Sequence, residues 1–92
     1  MEAGRLAARE TLEDVVVKKA LNRLRAEKIR WAPIDMIMEN VWEVSKNMKL
    51  FKNRGEFEKY WTKRKLALVL KHLKIKSKRK QENGKRRWGY IL

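Results

Sequence analysis

The sequence predicts a mainly α-helical domain with a C-terminal β-hairpin, an α+β fold. Three observations support this. Apolar residues recur at helical spacing in three segments, an Asn-Gly pair separates two strand-like runs, and 92 residues have room for one core. The hydrophobic fraction of 43% is enough for that core. We therefore expect a single domain over residues 11–92, after an N-terminal extension over residues 1–10 whose helicity stays open.

The first helix is predicted over residues 11–28. Thr11 and Asp14 have the spacing of a capping box, in which the Thr11 hydroxyl accepts from the Asp14 backbone N–H. The apolar positions that follow share a four-residue spacing typical of an amphipathic helix. They are Leu12, Val16, Ala20 and Leu24, widened by Val17 and Leu21.

A second helix is predicted to begin at Pro33, after a short extended piece, and to end near Lys46 or Asn47. Pro33 suits a first helical turn, and Asp35 suits the positive end of the helix dipole. The residues after it, 48–61, have no regular period and contain Gly55. We expect a loop there with one short helical turn around residues 56–60. The predicted buried face of the second helix contains Ile34, Ile37, Met38, Val41 and Ser45.

The third helix is predicted over about residues 62–74, with Thr62 as its N-cap. Its core stripe is formed by Leu66, Val69, Leu70 and Leu73. The opposite side carries Arg64, Ala67, Leu68 and Lys71. A basic outer face with a small residue and an exposed leucine is unusual for an ordinary surface helix.

A hairpin is predicted over about residues 75–92. Asn83-Gly84 is a strong signal for a two-residue turn, since both positions tolerate positive backbone angles. This turn pairs Glu82 with Lys85, Lys80 with Arg87 and Ser77 with Tyr90. One face of the hairpin is expected to pack on the helices, and it contains Ile75, Ser77, Arg79, Trp88, Tyr90 and Leu92. The other face is expected to point into solvent, and it contains Lys76, Lys78, Lys80 and Arg87.

The positive charge is concentrated near the carboxyl end. Residues 59–92 contain 13 basic side chains and one acid, Glu82, whereas residues 1–58 contain 12 basic and 10 acidic side chains. A field of this strength favours a polyanion: nucleic acid first, an acidic membrane or protein second. Lysines also protect exposed edge strands, but that explains only two or three of them.

Other classes of function lack their characteristic residues. There is no cysteine and one histidine, His72, so a disulfide framework and a metal site are not expected. We find no phosphate-binding loop or nucleophile motif, and we expect no cofactor and no enzyme activity. The longest apolar run, Leu66–Leu70, is too short to span a membrane. We therefore expect a soluble intracellular protein, in the cytoplasm or nucleoid, without membrane binding.

The segments "WTKRKLALVLKHLKI" and "KSKRKQENGKRRWGYIL" look like a recognition helix followed by a wing. With the preceding helix, extended piece and helix, their order resembles a three-helix winged helix-turn-helix domain. It is similar to the winged-helix tails of phage and plasmid primase-helicases and to archaeal DNA-binding proteins. Residues 47–60 depart from that pattern, because they are longer than the tight turn expected between the second and third helices.

The resemblance implies that the third helix enters the major groove and that the wing lies along the backbone or minor groove. Arg64 would then contact guanine, and Leu68 a thymine methyl group, although both positions also suit ordinary solvated or protein-contacting residues. The implied recognition-helix residues are Lys63, Arg64, Ala67, Leu68 and Lys71. The implied phosphate-binding residues of the wing are Lys76, Lys78, Arg79, Lys80, Lys85, Arg86 and Arg87.

The aromatic residues raise the question of base stacking, but a small domain needs core volume. We expect Trp31, Trp42 and Trp88 to be core residues, and one of Tyr60 and Trp61 to be exposed.

Three functions follow from these expectations. The first is a double-stranded DNA-binding protein that acts in transcription regulation or DNA replication. The second is a small accessory subunit, for example of a DNA polymerase or primase, that docks on a larger partner. The third is an RNA-binding protein. A homodimer or partner contact is expected through the first helix or through residues 47–61.

Overall fold

The computed structural model describes residues 11–82 and 84–92, so the predicted N-terminal extension lies outside the described residues. Within them the chain forms four helices and a three-stranded antiparallel sheet, which confirms the α+β class. The helix count exceeds the prediction by one, and a strand joins the hairpin. None of the described helices is long and apolar enough to cross a bilayer. The elements are α1 (Leu12–Ala26), β1 (Trp31–Pro33), α2 (Ile34–Asn47), α3 (Arg54–Tyr60), α4 (Lys63–His72), β2 (Ser77–Glu82) and β3 (Lys85–Ile91).

The start of α1 has the predicted capping box. Thr11 Oγ1 accepts from the Asp14 backbone N–H at 3.2 Å, and Asp14 Oδ2 accepts from the Thr11 N–H at 3.4 Å. The helix ends at Ala26, two residues before the predicted end. The apolar stripe is buried from Val16 to Leu24, but Leu12 is 52% exposed because it precedes the part of α1 that packs on α2 and α4.

The core is formed by the helices, with Ala32 of β1 at its edge. α2 has the predicted bounds within one residue. Burial of these side chains supplies most of the stability, since each large apolar residue contributes about 1.5–3 kcal/mol when fully buried. The buried apolar residues are Val16, Val17, Ala20, Leu21, Leu24, Ala32, Ile37, Met38, Val41, Val44, Phe57, Trp61, Leu66 and Leu70.

Residues 54–60 form a helix, where the sequence predicted a loop with one short turn. Asn53 caps α3 by accepting from the Glu56 N–H at 2.9 Å. Phe57 is fully buried, and its ring lies 5.1 Å from that of Trp42 and 5.6 Å from that of Phe51. These contacts come from distant residues, so the local sequence pattern of such a short helix does not reveal them.

Three helices end with a lysine in the left-handed backbone region. The φ angles are 62° at Lys28, 57° at Lys49 and 62° at Lys74. In each case the next residue donates its N–H to the carbonyl five residues earlier, the pattern of a Schellman motif. The turn at Lys74 directs the chain from α4 into the hairpin.

The predicted register of the hairpin is confirmed. Glu82 pairs with Lys85, Lys80 with Arg87 and Ser77 with Tyr90. Gly84 has a φ of +77°, as the predicted turn requires, whereas Asn83 lies outside the described residues. The strands and α4 all fall within the predicted segments, with α4 two residues shorter at its end.

Trp31 joins the hairpin to the helices. β1 pairs with β3, and the Trp31 indole lies across Gly89, where an added Cβ would be 2.4 Å from two ring atoms. Its Nε1 also donates to the Lys78 carbonyl at 2.9 Å, so that Trp31 contacts both hairpin strands. Trp31 therefore occupies a packing position that only glycine at residue 89 allows.

We predict that Gly89→Ala lowers the free energy of unfolding by about 1–3 kcal/mol, because the new methyl group clashes with the indole and with the Ala32 carbonyl. Urea unfolding followed by circular dichroism measures this. Gly55→Ala is the control, since its Cβ meets only a side-chain oxygen, at 3.2 Å. Equal stability of the two variants would contradict the packing described for Trp31.

Candidate nucleic-acid interface

A cleft separates α4 from the hairpin. Its volume is about 410 Å³, and it brings together four of the five residues predicted on the recognition helix. Arg64, Leu68 and Lys71 are exposed at the cleft, and Ala67 is half-buried. The hairpin side of the cleft is formed by Ile75, Ser77 and Tyr90.

Lys63, the fifth predicted residue, has another partner. Its Nζ lies 2.9 Å from Asp35 Oδ1 at the start of α2, and both side chains are well exposed. An exposed pair of this kind contributes little to stability. The pair mainly affects the charge near the cleft, because Asp35 partly neutralises one cation there.

The two faces of the hairpin both carry cations. We call the side that turns toward the cleft the cleft face; it contains Ser77, Arg79, Gln81, Arg86, Trp88 and Tyr90. The outer face contains Lys78, Lys80, Lys85 and Arg87, and Trp31 packs against it at Gly89. All seven predicted wing cations, including Lys76 before β2, are exposed.

These cations have no anionic partners among the described side chains. No described carboxylate lies within ion-pair distance of any of the seven, and Lys80 stands directly opposite Arg87 in the ladder. Like charges in opposite positions destabilise a strand pair by several tenths of a kcal/mol, by analogy with the usual range of 0.2–1 kcal/mol. The hairpin keeps these charges although they oppose its own folding, and a bound polyanion would remove that cost.

Trp88 is not a core residue, which corrects the prediction. Its side chain is 60% exposed, and the Arg79 guanidinium carbon lies over its ring, 5.0 Å from the centroid. The alternation of the strands was predicted correctly, but the helices cover the cleft face only as far as Tyr90, which is half-buried. Trp42 is half-buried and packs against the core as predicted, whereas Trp31, also predicted there, is half-buried against the hairpin instead. Tyr60 is 47% exposed and Trp61 is buried, in agreement with the prediction for this pair. In the sequence, the glycine at position 89, beside Trp88, could have indicated that a different large side chain packs on β3.

Several cations on the helical body have partners. Arg54 makes two hydrogen bonds with Glu39, at 2.8 and 3.0 Å, and one with Glu58 at 3.2 Å. The hydrogen bond from Arg54 lowers the pKa of Glu39, and the hydrogen bond to Glu39 raises the pKa of Arg54. Lys65 lies over the Tyr60 ring, 3.3 Å from its centroid. The hairpin differs in that none of its seven cations has a described carboxylate partner.

His72 lies beside the buried Asp14, with Nε2 3.5 Å from Oδ2. Among the described residues, no group of three histidine or acidic side chains is arranged to hold a metal ion.

An apolar recess lies near the segments for which a partner contact was predicted. Leu12, Leu50, Phe51 and Tyr60 line it, and its volume is about 180 Å³. Leu12 and Tyr60 are about half exposed there. The partner contact through α1 or residues 47–61 stays a prediction.

No protein-family model, curated protein sequence or solved structure matches this chain. The function must therefore be argued from its own residues.

We predict that the Arg54–Glu39 pair stabilises the protein in a pH-dependent way. Because the pKa of Glu39 is lowered on folding, its contribution is complete above its ordinary pKa of 4.5 and is lost as the pH falls through the lowered value. Both side chains are substantially exposed, so we expect less than about 1 kcal/mol. Urea unfolding of the wild type and Glu39→Gln should differ at neutral pH and converge in acid. A difference that persists in acid would show that the substitution acts through packing instead.

Proposed function

We propose that this chain is a double-stranded DNA-binding domain of winged-helix type, with α4 as the recognition helix and the β2–β3 hairpin as the wing. The observation that carries the proposal is the hairpin itself: seven exposed cations without a described carboxylate partner. The order of the elements supports it, since α1, β1, α2, α4 and the hairpin follow the winged-helix order, with α3 inserted before the recognition helix.

The dimensions of α4 suit the major groove. An α-helix with its side chains is about 10–12 Å across, which matches the width of the groove, about 12 Å, and α4 has ten residues to lay along it. Arg64 and Lys71 point from α4 into the cleft, and Ala67 between them allows a close approach. In this arrangement Arg64 donates to a guanine edge or a phosphate, and Leu68 contacts a thymine methyl group.

The wing cations are assigned to phosphates. Lysine and arginine contacts to phosphates position a protein without specifying sequence, and they supply most non-specific affinity. The two faces of the hairpin can contact the backbone on either side of a groove. Binding that is modestly specific or tolerant of sequence suits this balance of many wing cations and few cleft residues. We place the domain in transcription regulation or DNA replication.

We predict that the affinity for duplex DNA falls steeply with salt concentration and that the wing cations cause most of this dependence. For a duplex of about 25 base pairs, six to eight phosphate contacts reduce the affinity by about three decades between 50 and 200 mM salt. Changing Lys78, Lys80, Arg86 and Arg87 to alanine should reduce the slope of log K against log salt by about three to four. Fluorescence anisotropy measures both quantities.

The matched control removes two lysines and two arginines outside the proposed interface. Lys19, Arg23, Arg25 and Lys52 are exposed, and their alanine variant has the same net charge as the wing variant. It should keep most of the wild-type slope. Equal loss in both variants would show an effect of net charge alone, and tighter binding of a structured RNA at matched salt would favour an RNA partner. Weak duplex binding by the wild type would favour the accessory-subunit alternative.

We also predict that Asp35→Asn tightens duplex binding by about three- to tenfold at low salt. The substitution releases Lys63 and removes a negative charge beside the cleft, so the salt slope should steepen by about one. Glu43→Gln is the control, because Glu43 pairs with Lys46 at 3.0 Å on the same helix and outside the cleft. An unchanged affinity of the Asp35 variant would place Lys63 outside the interface.

A further inference from the structure

Trp88 is a large aromatic residue that the structure leaves exposed, although the sequence predicted it in the core. It lies on the cleft face of the hairpin, directly opposite Arg79 in the register, and 60% of its surface is open to solvent. Leaving a large apolar ring in water forgoes about 25 cal/mol for each Å² of apolar surface, so its exposure costs stability that a core position would provide. A ligand that covered the ring would recover this lost stability.

The surroundings of Trp88 disfavour an ordinary protein partner. Its neighbours on the cleft face are Arg79, Gln81, Arg86, Ser77 and Tyr90. An apolar protein surface that covered the ring would also bury the two arginines, and buried charges without partners cost several kcal/mol each. A nucleotide satisfies both requirements at once, because its base is a flat aromatic surface and its phosphate is an anion.

The geometry of the pair leaves one face of the ring for a base. The Arg79 guanidinium lies over the indole, 5.0 Å from the ring centroid. Stacking of a cationic group on one side of the ring leaves the opposite side for a second flat group. Inside an intact duplex each base is already covered on both sides by its neighbours, whereas an unpaired base beside the duplex has a face to offer.

We propose that Trp88 and Arg79 form a stacking platform for an unpaired base, and that the preferred ligand is a DNA duplex with an adjoining single strand. This rests on the proposed function for the duplex part, since α4 and the wing cations hold the duplex. The platform adds a contact with the first unpaired nucleotide.

The test compares a blunt duplex of about 20 base pairs with the same duplex carrying a single-stranded overhang of about ten nucleotides, at one fixed salt concentration. The wild type should bind the overhang duplex about tenfold more tightly, within the five- to hundredfold range expected for stacking of one base. Trp88→Ala should bind both equally and keep its blunt-duplex affinity within about twofold, because it retains every charge. Trp88→Phe should keep most of the preference.

Two further measurements separate stacking from other effects. Tyr60→Ala removes another exposed aromatic residue, outside the cleft, and should leave the preference unchanged. Tryptophan fluorescence should be quenched by the overhang duplex in the wild type, and the part of the quenching that depends on the overhang should be lost in Trp88→Phe.

The possible failures are distinguishable. Steep, salt-dependent binding of the blunt duplex without any preference for the overhang overturns the platform and leaves the duplex-binding function standing. A preference that survives in Trp88→Ala also overturns the platform, because the additional phosphates then explain it. If Trp88→Ala weakens binding of the blunt duplex as much as of the overhang duplex, the ring contacts paired DNA, and the platform for an unpaired base is overturned. Absence of salt-dependent binding to either duplex overturns both proposals.

Discussion

The structure depends on the packing of Trp31 across Gly89. A two-stranded hairpin is marginally stable alone, and this one also carries opposed cations. Trp31 adds a third strand and an indole that contacts β3, and its Nε1 bonds the Lys78 carbonyl of β2 at 2.9 Å. Because Ala32, the next residue, is buried in the helical core, β1 connects the hairpin to that core. The orientation of the hairpin relative to α4 follows from this contact.

The support from Trp31 and β1 explains how the hairpin can fold despite its strong positive charge. Its stability comes from the backbone ladder, from β1 and from Trp31, none of which needs the side chains of the exposed cations. Lys80 even lies over the Trp31 ring, 5.2 Å from its centroid, where the aromatic face favours a cation. Apart from Arg79, which lies over Trp88, the remaining hairpin cations have no described side-chain contact that binding of an anion would break.

Much of the fold could be predicted because its signals are local. The Thr11–Asp14 box, the bounds of α2 and the register set by the turn depend on residues a few positions apart. What could not be predicted depends on distant contacts. α3 is stabilised by the burial of Phe57 against Trp42. The alternating residues of β3 show which side chains share a face, but not how much of that face the helices cover. The shared helix face of Arg64, Ala67, Leu68 and Lys71 depends on local spacing and could be predicted, whereas the exposure of Trp88 depends on distant contacts and could not.

The cations of the helical body and those of the hairpin differ in their ion pairs. On the helical body, several carboxylates pair with cations, as Glu39 does with Arg54, and such pairs create little field at a distance. On the hairpin, no described carboxylate pairs with any of the seven cations, so their potentials add. A polyanion that approaches from solution is therefore drawn toward the surface where Arg64, Arg79 and Trp88 lie. If the proposed function holds, electrostatic attraction brings the phosphates there regardless of sequence, and the short-range contacts of the ring and the guanidinium groups then distinguish one nucleic-acid structure from another.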